Sequence, residues 1–581
     1  MSTLAITRSL GQRGLRVLVA SPEQSPIAGC SRYCAACFRY PDPSRDTAEF
    51  LDYIDSLVGE HRPDLLIPVT EKTLIPIAEN RQRFVGRTQL AIAADASLKT
   101  VLNKQATAIL AESLGIATPK SLVAGDQQQL LQCAGQIGFP LVLKPIRSIS
   151  RKSGAVGPQL AVTYAFDREE LGRVAQPLLE HGEVVIQEYF RGEGVGVEVI
   201  ADRGLVYYQF QHRRLHEMPL SGGGSCLRES VPVDPTLSSA ACRLMQALDW
   251  HGVAMIEFKR DPGSGEYRLI EINGRFWGSL PVSRVAGVDF PWLTWQLFVH
   301  GEQTRLPAAA VGVKCRDLGK DLYWHEYVLR RVTDERLFSY PDKGRLLRDL
   351  LQLFSPRHHL DSFYWRDPRP ALIDLTRIVR HYGGRVRGQW RRWQRLRAQR
   401  HAWQSGKMQQ ALAASRQLLI LCYGNINRSA VAHAYLQQTY GDRLAVNIES
   451  AGFHPQPGRP ADPNMVAVAR SRGIDLEASR SSVVSAAQFA RADMILVMDE
   501  SHLQRVAELA PSAMARTFLW AAPLSHQGEP IEIDDPYGKA IETYQSCFDT
   551  LCRAADQLVR SMPASPDRIQ GRPRTGMHNT D

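Results

Sequence analysis

Apolar residues recur along this chain in two α/β rhythms, one before residue 305 and one after residue 415. Within residues 1–98, RVLVA at 16–20 and LLIPV at 65–69 predict short buried parallel strands between amphipathic helices. Residues 99–305 mix helical periods, hairpins and two strong strands, VAMIEFKR at 253–260 and YRLIEING at 267–274. Residues 306–376 predict helices, with WRDPRP at 365–370 as a loop. Residues 377–414 predict a linker helix with an Arg-rich face and apolar anchors at Trp390, Trp393 and Trp403. The second α/β rhythm opens with LLILC at 418–422 and runs to 562. Residues 563–581 are polar, contain Pro and Gly, and predict a disordered tail.

At roughly 150 residues per domain, a length of 581 residues predicts three or four domains. No run reaches the ~18–20 apolar residues of a membrane span, and MSTLAITRSLGQRG has no apolar signal-peptide core. The net charge of +10 is concentrated. Arg377, Arg380, Arg385, Arg387, Arg391, Arg392, Arg395, Arg397, Arg400 and Lys407 follow one another with no acid between them. The remainder is near neutral, which argues against a specific nucleic-acid binder; 377–407 reads first as a solvated inter-domain helix, with peripheral contact to an anionic surface as the alternative. Ten cysteines are too sparse for a disulfide scaffold. Cys30, Cys34 and Cys37 lack a second Cys or His pair and read as loop or core thiols. A reduced, bacterial cytoplasm is the expected location.

The segment 418–429 reads Leu-Leu-Ile-Leu-Cys422-Tyr423-Gly424-Asn425-Ile426-Asn427-Arg428-Ser429, followed by the helical run AVAHAYLQQTY. Strand, tight loop and helix succeed one another. Backbone N–H groups between Cys422 and Arg428 can wrap a phosphate, and the positive end of the next helix adds to the field. Arg428 offers a planar fork for two phosphate oxygens. The same surroundings favour a thiolate on Cys422, the form that attacks phosphorus. A second Cys-x5-Arg, Cys547 to Arg553, has no glycine and no preceding strand, so it reads as a helix face.

Downstream come Ser450-Ala-Gly452, Gly458-Arg-Pro-Ala-Asp462, Val497-Met-Asp-Glu-Ser501 and Ile533-Asp-Asp-Pro-Tyr-Gly538. With Cys422 and Arg428, this series resembles the low-molecular-weight protein tyrosine phosphatases. The resemblance implies a four-stranded parallel sheet covered by helices. It gives Cys422 as nucleophile, Arg428 as phosphate clamp, Ser429 as hydrogen-bond partner of the thiolate, and Asp535 as general acid, with Tyr537 beside the substrate ring. An acid is needed because a phenolate of pKa near ~10 leaves poorly unprotonated. Pro536 restricts Asp535 to extended backbone, so Asp534 points the other way. Two positions depart from the family pattern. Asn427 stands where many members carry a second cysteine, and His502 where asparagine is usual. Arsenate reductases of this fold need further mid-domain cysteines, and none lies between Ser429 and Gln545.

In the first half, Lys104 falls on a predicted helix, and Lys144 ends PLVLK before a loop with Gly154 and Gly157. Glu188 ends VVIQE, while Glu257 lies on one strong strand and Glu271, Asn273 and Arg275 on or just after the next. Alternation puts Glu271 and Asn273 on one face, where Glu257 joins them, and such oxygen ligands suit Mg²⁺. These features resemble the ATP-grasp carboxylate–amine ligases. The resemblance implies that Lys104 and Lys144 bind ATP phosphates, Glu188 sits at the adenine and ribose hinge, and Arg275 stabilises an acyl phosphate. Glu257, Glu271 and Asn273 would hold Mg²⁺. His212-Arg-Arg-Leu-His216-Glu217 and Ser221–Ser225 would face the acceptor. The chain opens inside what would be the helix after the family's first strand, so that strand is either absent or upstream.

The expected architecture is therefore α/β and multidomain. It comprises a Rossmann-like domain at 1–98, its first strand absent or upstream, an ATP-grasp domain at 99–305 and a helical extension at 306–376. The basic linker helix at 377–414, the phosphatase at 415–562 and the tail at 563–581 complete it. The expected function is bifunctional, with a tyrosine-phosphorylated protein, ATP with Mg²⁺, and unidentified carboxylate and amine substrates as partners, and no cofactor for the phosphatase. The alternative is a phosphatase whose ATP-grasp half is a nucleotide-binding regulator.

Overall fold

The computed structural model describes residues 1–145, 149–152, 155–159, 162–441, 444 and 446–562. Gly154 and the expected tail at 563–581 lie outside them. The chain divides into two compact units between Val379 and Arg380.

The first unit opens with the helix Ser2–Gly11 and two small parallel pairs, Val17–Ser21 with Cys34–Arg39 and Leu65–Leu66 with Gln89–Leu90. The strand expected at 65–69 pairs only at its first two residues, because Pro68 has no N–H to continue a ladder. Next comes an antiparallel sheet in the order Ser121–Ala124, Val184–Glu188, Leu141–Pro145, Thr163–Ala165. The helices Gln127–Ile137 and Arg168–Leu179 back it, each N-capped by an aspartate, Asp126 and Asp167. Leu130, Ala134, Leu171 and Ala175 fill the layer between.

The largest sheet has seven strands, in the order Tyr267–Asn273, Gly252–Arg260, Glu193–Asp202, Leu205–Met218, Gly224–Val231, Lys314–Arg316, His358–Leu360. Along Glu193–Asp202, Val195, Val197 and Val199 enter one core and Ile200 another, so both faces are covered. The last two strands, three residues each, come from the region expected to be helical, and such short pieces carry no readable period. Asp367 of the WRDPRP segment accepts from Arg8 Nε at 2.9 Å and Ser31 Oγ at 2.7 Å, which ties the loop to the start of the chain.

The helix Arg369–Gln404 carries the boundary between the units. The second unit holds a parallel sheet in the order Asn447–Gly452, Gln417–Cys422, Met494–Val497, Thr517–Leu519, the four-stranded arrangement expected. The end of the basic helix belongs to this unit's body. Trp403 joins the core, and Gln399 donates to the Thr517 carbonyl and accepts from the Leu519 N–H at 2.9 Å, covering the edge strand. Arg392 and Arg395 pair with Glu532 and Glu500. Among the described residues, no helix is long and apolar enough to cross a membrane.

Candidate active sites

Cys422 ends a central strand of the second unit's sheet, and the helix Arg428–Tyr440 begins where the loop closes. The loop turns through Asn425, whose φ of 51° lies in the left-handed region that asparagine tolerates. That turn aims the Asn425 N–H at Cys422 Sγ, 3.2 Å away, while Ser429 Oγ lies 3.0 Å from the same sulfur. The Asn425 side chain locks the loop. Its Nδ2 donates to Ser429 and Ser450 Oγ at 2.9 and 3.1 Å, and its Oδ1 accepts from the Ser482 N–H at 2.9 Å. Gly452 passes so close that a Cβ there would meet the Tyr423 carbonyl at 2.7 Å.

Arg428 is buried. One Nη donates to Asp499 at 2.7 Å and to the Ile533 carbonyl at 2.9 Å, and the other donates to Asp535 at 2.7 Å. Burial opposes its charge, but the Cys422 sulfur, Asp535 and Asp499 outweigh it and raise its pKa. Asp534 is exposed, Asp535 half-buried and Pro536 buried. Tyr423 and Tyr537 stand exposed at the rim. His502, buried beside Asp499 at 3.2 Å and stacked near Phe453, has its pKa lowered to about 4 by burial. Cys547 lies on the helix Ile541–Arg560, and burial raises its thiol to about 12.

In the first unit the two strong strands pair with Glu257 opposite Glu271 and Met255 opposite Asn273. Asn273 Nδ2 donates to Glu257 at 2.9 Å and to Glu271 at 3.3 Å, so the three expected metal ligands meet. Burial raises the Glu257 pKa, whereas Lys104 and Lys144 overcome burial at Glu271 and lower it. Lys144 donates to Gln187 Oε1 at 2.7 Å, and burial, aided by Lys104, lowers its pKa to about 8. Lys104 opens the helix Lys104–Ser113 and shares with Lys144 a cavity of about 180 Å³. Glu188 Oε2 accepts from the Lys120 N–H at 3.2 Å. Arg275 pairs with Glu71 at 3.1 Å and lines a separate cavity of about 1020 Å³ among N-terminal segments. Two carboxylates, an amide and two lysines form a donor set that fits a divalent cation with nucleotide phosphates.

Residues 417–567 match the family model described as low molecular weight phosphotyrosine protein phosphatase. The low molecular weight protein-tyrosine-phosphatase Wzb of Escherichia coli strain K12 is 32% identical over 147 residues, 25% of this chain and 95% of that protein. The chain belongs to the low molecular weight protein-tyrosine-phosphatase family. The crystal structure of the Erwinia amylovora tyrosine phosphatase AmsI is similar at 28% identity, covering 26% of this chain and 95% of that one, with a TM-score of 0.24. Residues 180–320 match a model described as ATP-grasp in the biosynthetic pathway with Ter operon. A Hydrogenobacter thermophilus biotin carboxylase domain is similar at 16% identity, over 54% of this chain and 71% of that one, with a TM-score of 0.43. By its two family-model matches, the chain joins an ATP-grasp, ligase-like domain to a tyrosine-phosphatase domain.

One expectation for the ATP-grasp half needs correction. The strand Leu205–Met218 does not present His212 and His216 to an acceptor. His212 and Arg214 lie over Gly196 and Gly194 of the neighbouring strand, and the register shifts between Arg214 and His216. His212 is fully buried against Glu198. His216 stacks on Trp324 at 3.5 Å and bonds Asp321 at 2.7 Å, in a buried network with His325, Asp349 and Arg316. Arg214 alone reaches the metal-ligand cluster, bonding Glu257 at 2.5 Å and Glu217 at 3.1 Å. In the phosphatase domain, Asp499 belongs to the motif Val497–Ser501, but its hold on Arg428 joins segments 71 residues apart and carries no sequence signal.

Proposed function

We propose that the protein is a bifunctional enzyme, a protein-tyrosine phosphatase and a Mg-ATP-dependent carboxylate–amine ligase. The observation that supports the first activity best is the convergence on Cys422 of the Asn425 N–H, Ser429 and the Arg428–Asp535 pair. In this reading Cys422 Sγ attacks the phosphorus of a tyrosine phosphate held by the loop N–H groups and Arg428. As the P–O bond to the ring breaks, Asp535 gives its proton to the leaving oxygen. Asp535 then takes a proton from water, whose oxygen attacks the cysteinyl phosphate, releasing phosphate and the Cys422 thiolate. Asn425 and Ser429 orient the sulfur throughout.

For the ATP-grasp half, Glu257, Glu271 and Asn273 would hold Mg²⁺, with Arg214 on Glu257 Oε2 and the Asn273 amide on Glu257 Oε1. Magnesium supplies charge neutralisation for bridged nucleotide phosphates. Lys104 and Lys144 would bind those phosphates, Glu188 would mark the hinge, and Arg275 would meet a carboxylate or its acyl phosphate.

The decisive experiment for the phosphatase is Cys422→Ser. Turnover of aryl phosphates should vanish while vanadate still binds. Retained turnover would reject Cys422 as nucleophile. For the ligase, ADP release that depends on a carboxylate and an amine together separates synthesis from a regulatory nucleotide site.

A further inference from the structure

The helix Arg369–Gln404 shows solvent an apolar stripe that the fold does not use. Within the second unit Val386, Trp390 and Trp393 are exposed, at 63%, 58% and 52%. At about 100° per residue, these three fall within an arc of about 60°. Arg392, Arg395 and Gln399, which bond the phosphatase domain, lie about 160° away on the same helix. Inside the second unit, therefore, the helix docks by one side and displays the other.

The flanks of the stripe are basic. Arg380, Arg387 and Arg391 border it on one side and Arg385 and Arg400 on the other, while Arg397 lies over the Trp393 ring at 5.2 Å. No acid occurs from 377 to 407. Scattered apolar residues on a surface need no explanation, but a single-file stripe of aromatic and aliphatic side chains between arginines does.

We infer that this face seats the protein on an anionic lipid surface. Tryptophan and valine would enter the headgroup boundary, and the arginines would meet lipid phosphates, in the manner of an interfacial amphipathic helix. A second copy of the helix is a poorer occupant, because it brings the same acid-free basic flanks. A nucleic acid would engage the arginines but leave the aliphatic stripe wet. The occupant that satisfies both features is an anionic bilayer, and it would place the Cys422 site beside substrates held at that surface.

The test uses the full chain with sedimenting vesicles of phosphatidylcholine alone or with added phosphatidylglycerol. Binding should require phosphatidylglycerol and weaken with salt. The R387Q/R391Q variant should bind at least tenfold more weakly, at about fivefold per charge. The W390S/W393S variant should lose vesicle binding, and both should turn over p-nitrophenyl phosphate in free solution like the parent. Equal binding to both vesicles, no binding at low salt, or unchanged binding by W390S/W393S would overturn the inference. Self-association or RNA binding that W390S/W393S removes, without vesicle binding, would assign the face to those partners instead.

Discussion

Arg428 holds Asp535 at 2.7 Å through one arm of its guanidinium while the other arm is fixed by Asp499 and the Ile533 carbonyl. The residue read as phosphate clamp and the residue read as proton donor are thus positioned by a single planar group. Asp534, one residue earlier, is turned to solvent.

That geometry makes a graded prediction about leaving groups. Asp535→Asn should slow phenyl phosphate far more than p-nitrophenyl phosphate, by about 10²–10⁴-fold for the former. Asp534→Asn should cost little with either. Steady-state kinetics on both substrates decide it, and two mutants that behave alike would remove Asp535 from the role.

Gly452→Ala should damage the loop. The new Cβ would meet the Tyr423 carbonyl at 2.7 Å and the Asn425 nitrogen at 3.0 Å, pushing against the backbone that aims at Cys422. Overpacking of this kind typically costs about 1–3 kcal/mol. Turnover should fall at least tenfold (about 1.4 kcal/mol at the barrier). Urea unfolding and turnover measured together check both claims, and parent-like values for both would show that the loop yields freely.

His502 should make the phosphatase domain acid-sensitive. Burial among Asp499, Arg428, Asp535 and Arg505 lowers its pKa to about 4, against an ordinary 6.5. Between those values the unfolded chain carries a proton that the folded one does not. Stability is therefore full above about pH 6.5 and falls as the pH drops toward 4, by up to roughly 3 kcal/mol. His502→Asn should flatten that slope relative to the parent in unfolding experiments at pH 7, 6 and 5. Parallel slopes would show that His502 titrates normally.

ATP should raise the melting temperature only when Mg²⁺ is present, since a ligand of the native state stabilises it by RT ln(1 + [L]/Kd). Glu271→Ala should remove the shift, because Glu271 meets both Glu257 and the lysines through Asn273 and its own charge. A thermal scan of the two proteins is sufficient, and an intact shift in the variant would move the metal site elsewhere.

Sequence alone determined what is encoded within one short segment. Cys422, Asn425, Arg428 and Ser429 lie on one strand–loop–helix, so their spacing was enough to bring them together in one loop. Pro536 restricts the backbone of its immediate neighbour, so the sequence itself treats Asp535 and Asp534 differently. Glu271 and Asn273 shared a face through simple alternation. Tertiary structure decided what depends on registers between distant segments. Pairing of the strand Leu205–Met218 with its neighbours took His212 inward to Glu198 and Arg214 to Glu257, and past the irregularity after Arg214 it took His216 to Asp321, although the three are nearly adjacent in sequence. Trp403, read as part of a linker, enters the phosphatase core because the edge strand Thr517–Leu519 offers its helix a place to pack. Local periods are properties of neighbouring residues. Register, burial and pairing arise only when the sheets close, and they bring together partners as far apart as His216 and Asp321 or Gln399 and Leu519.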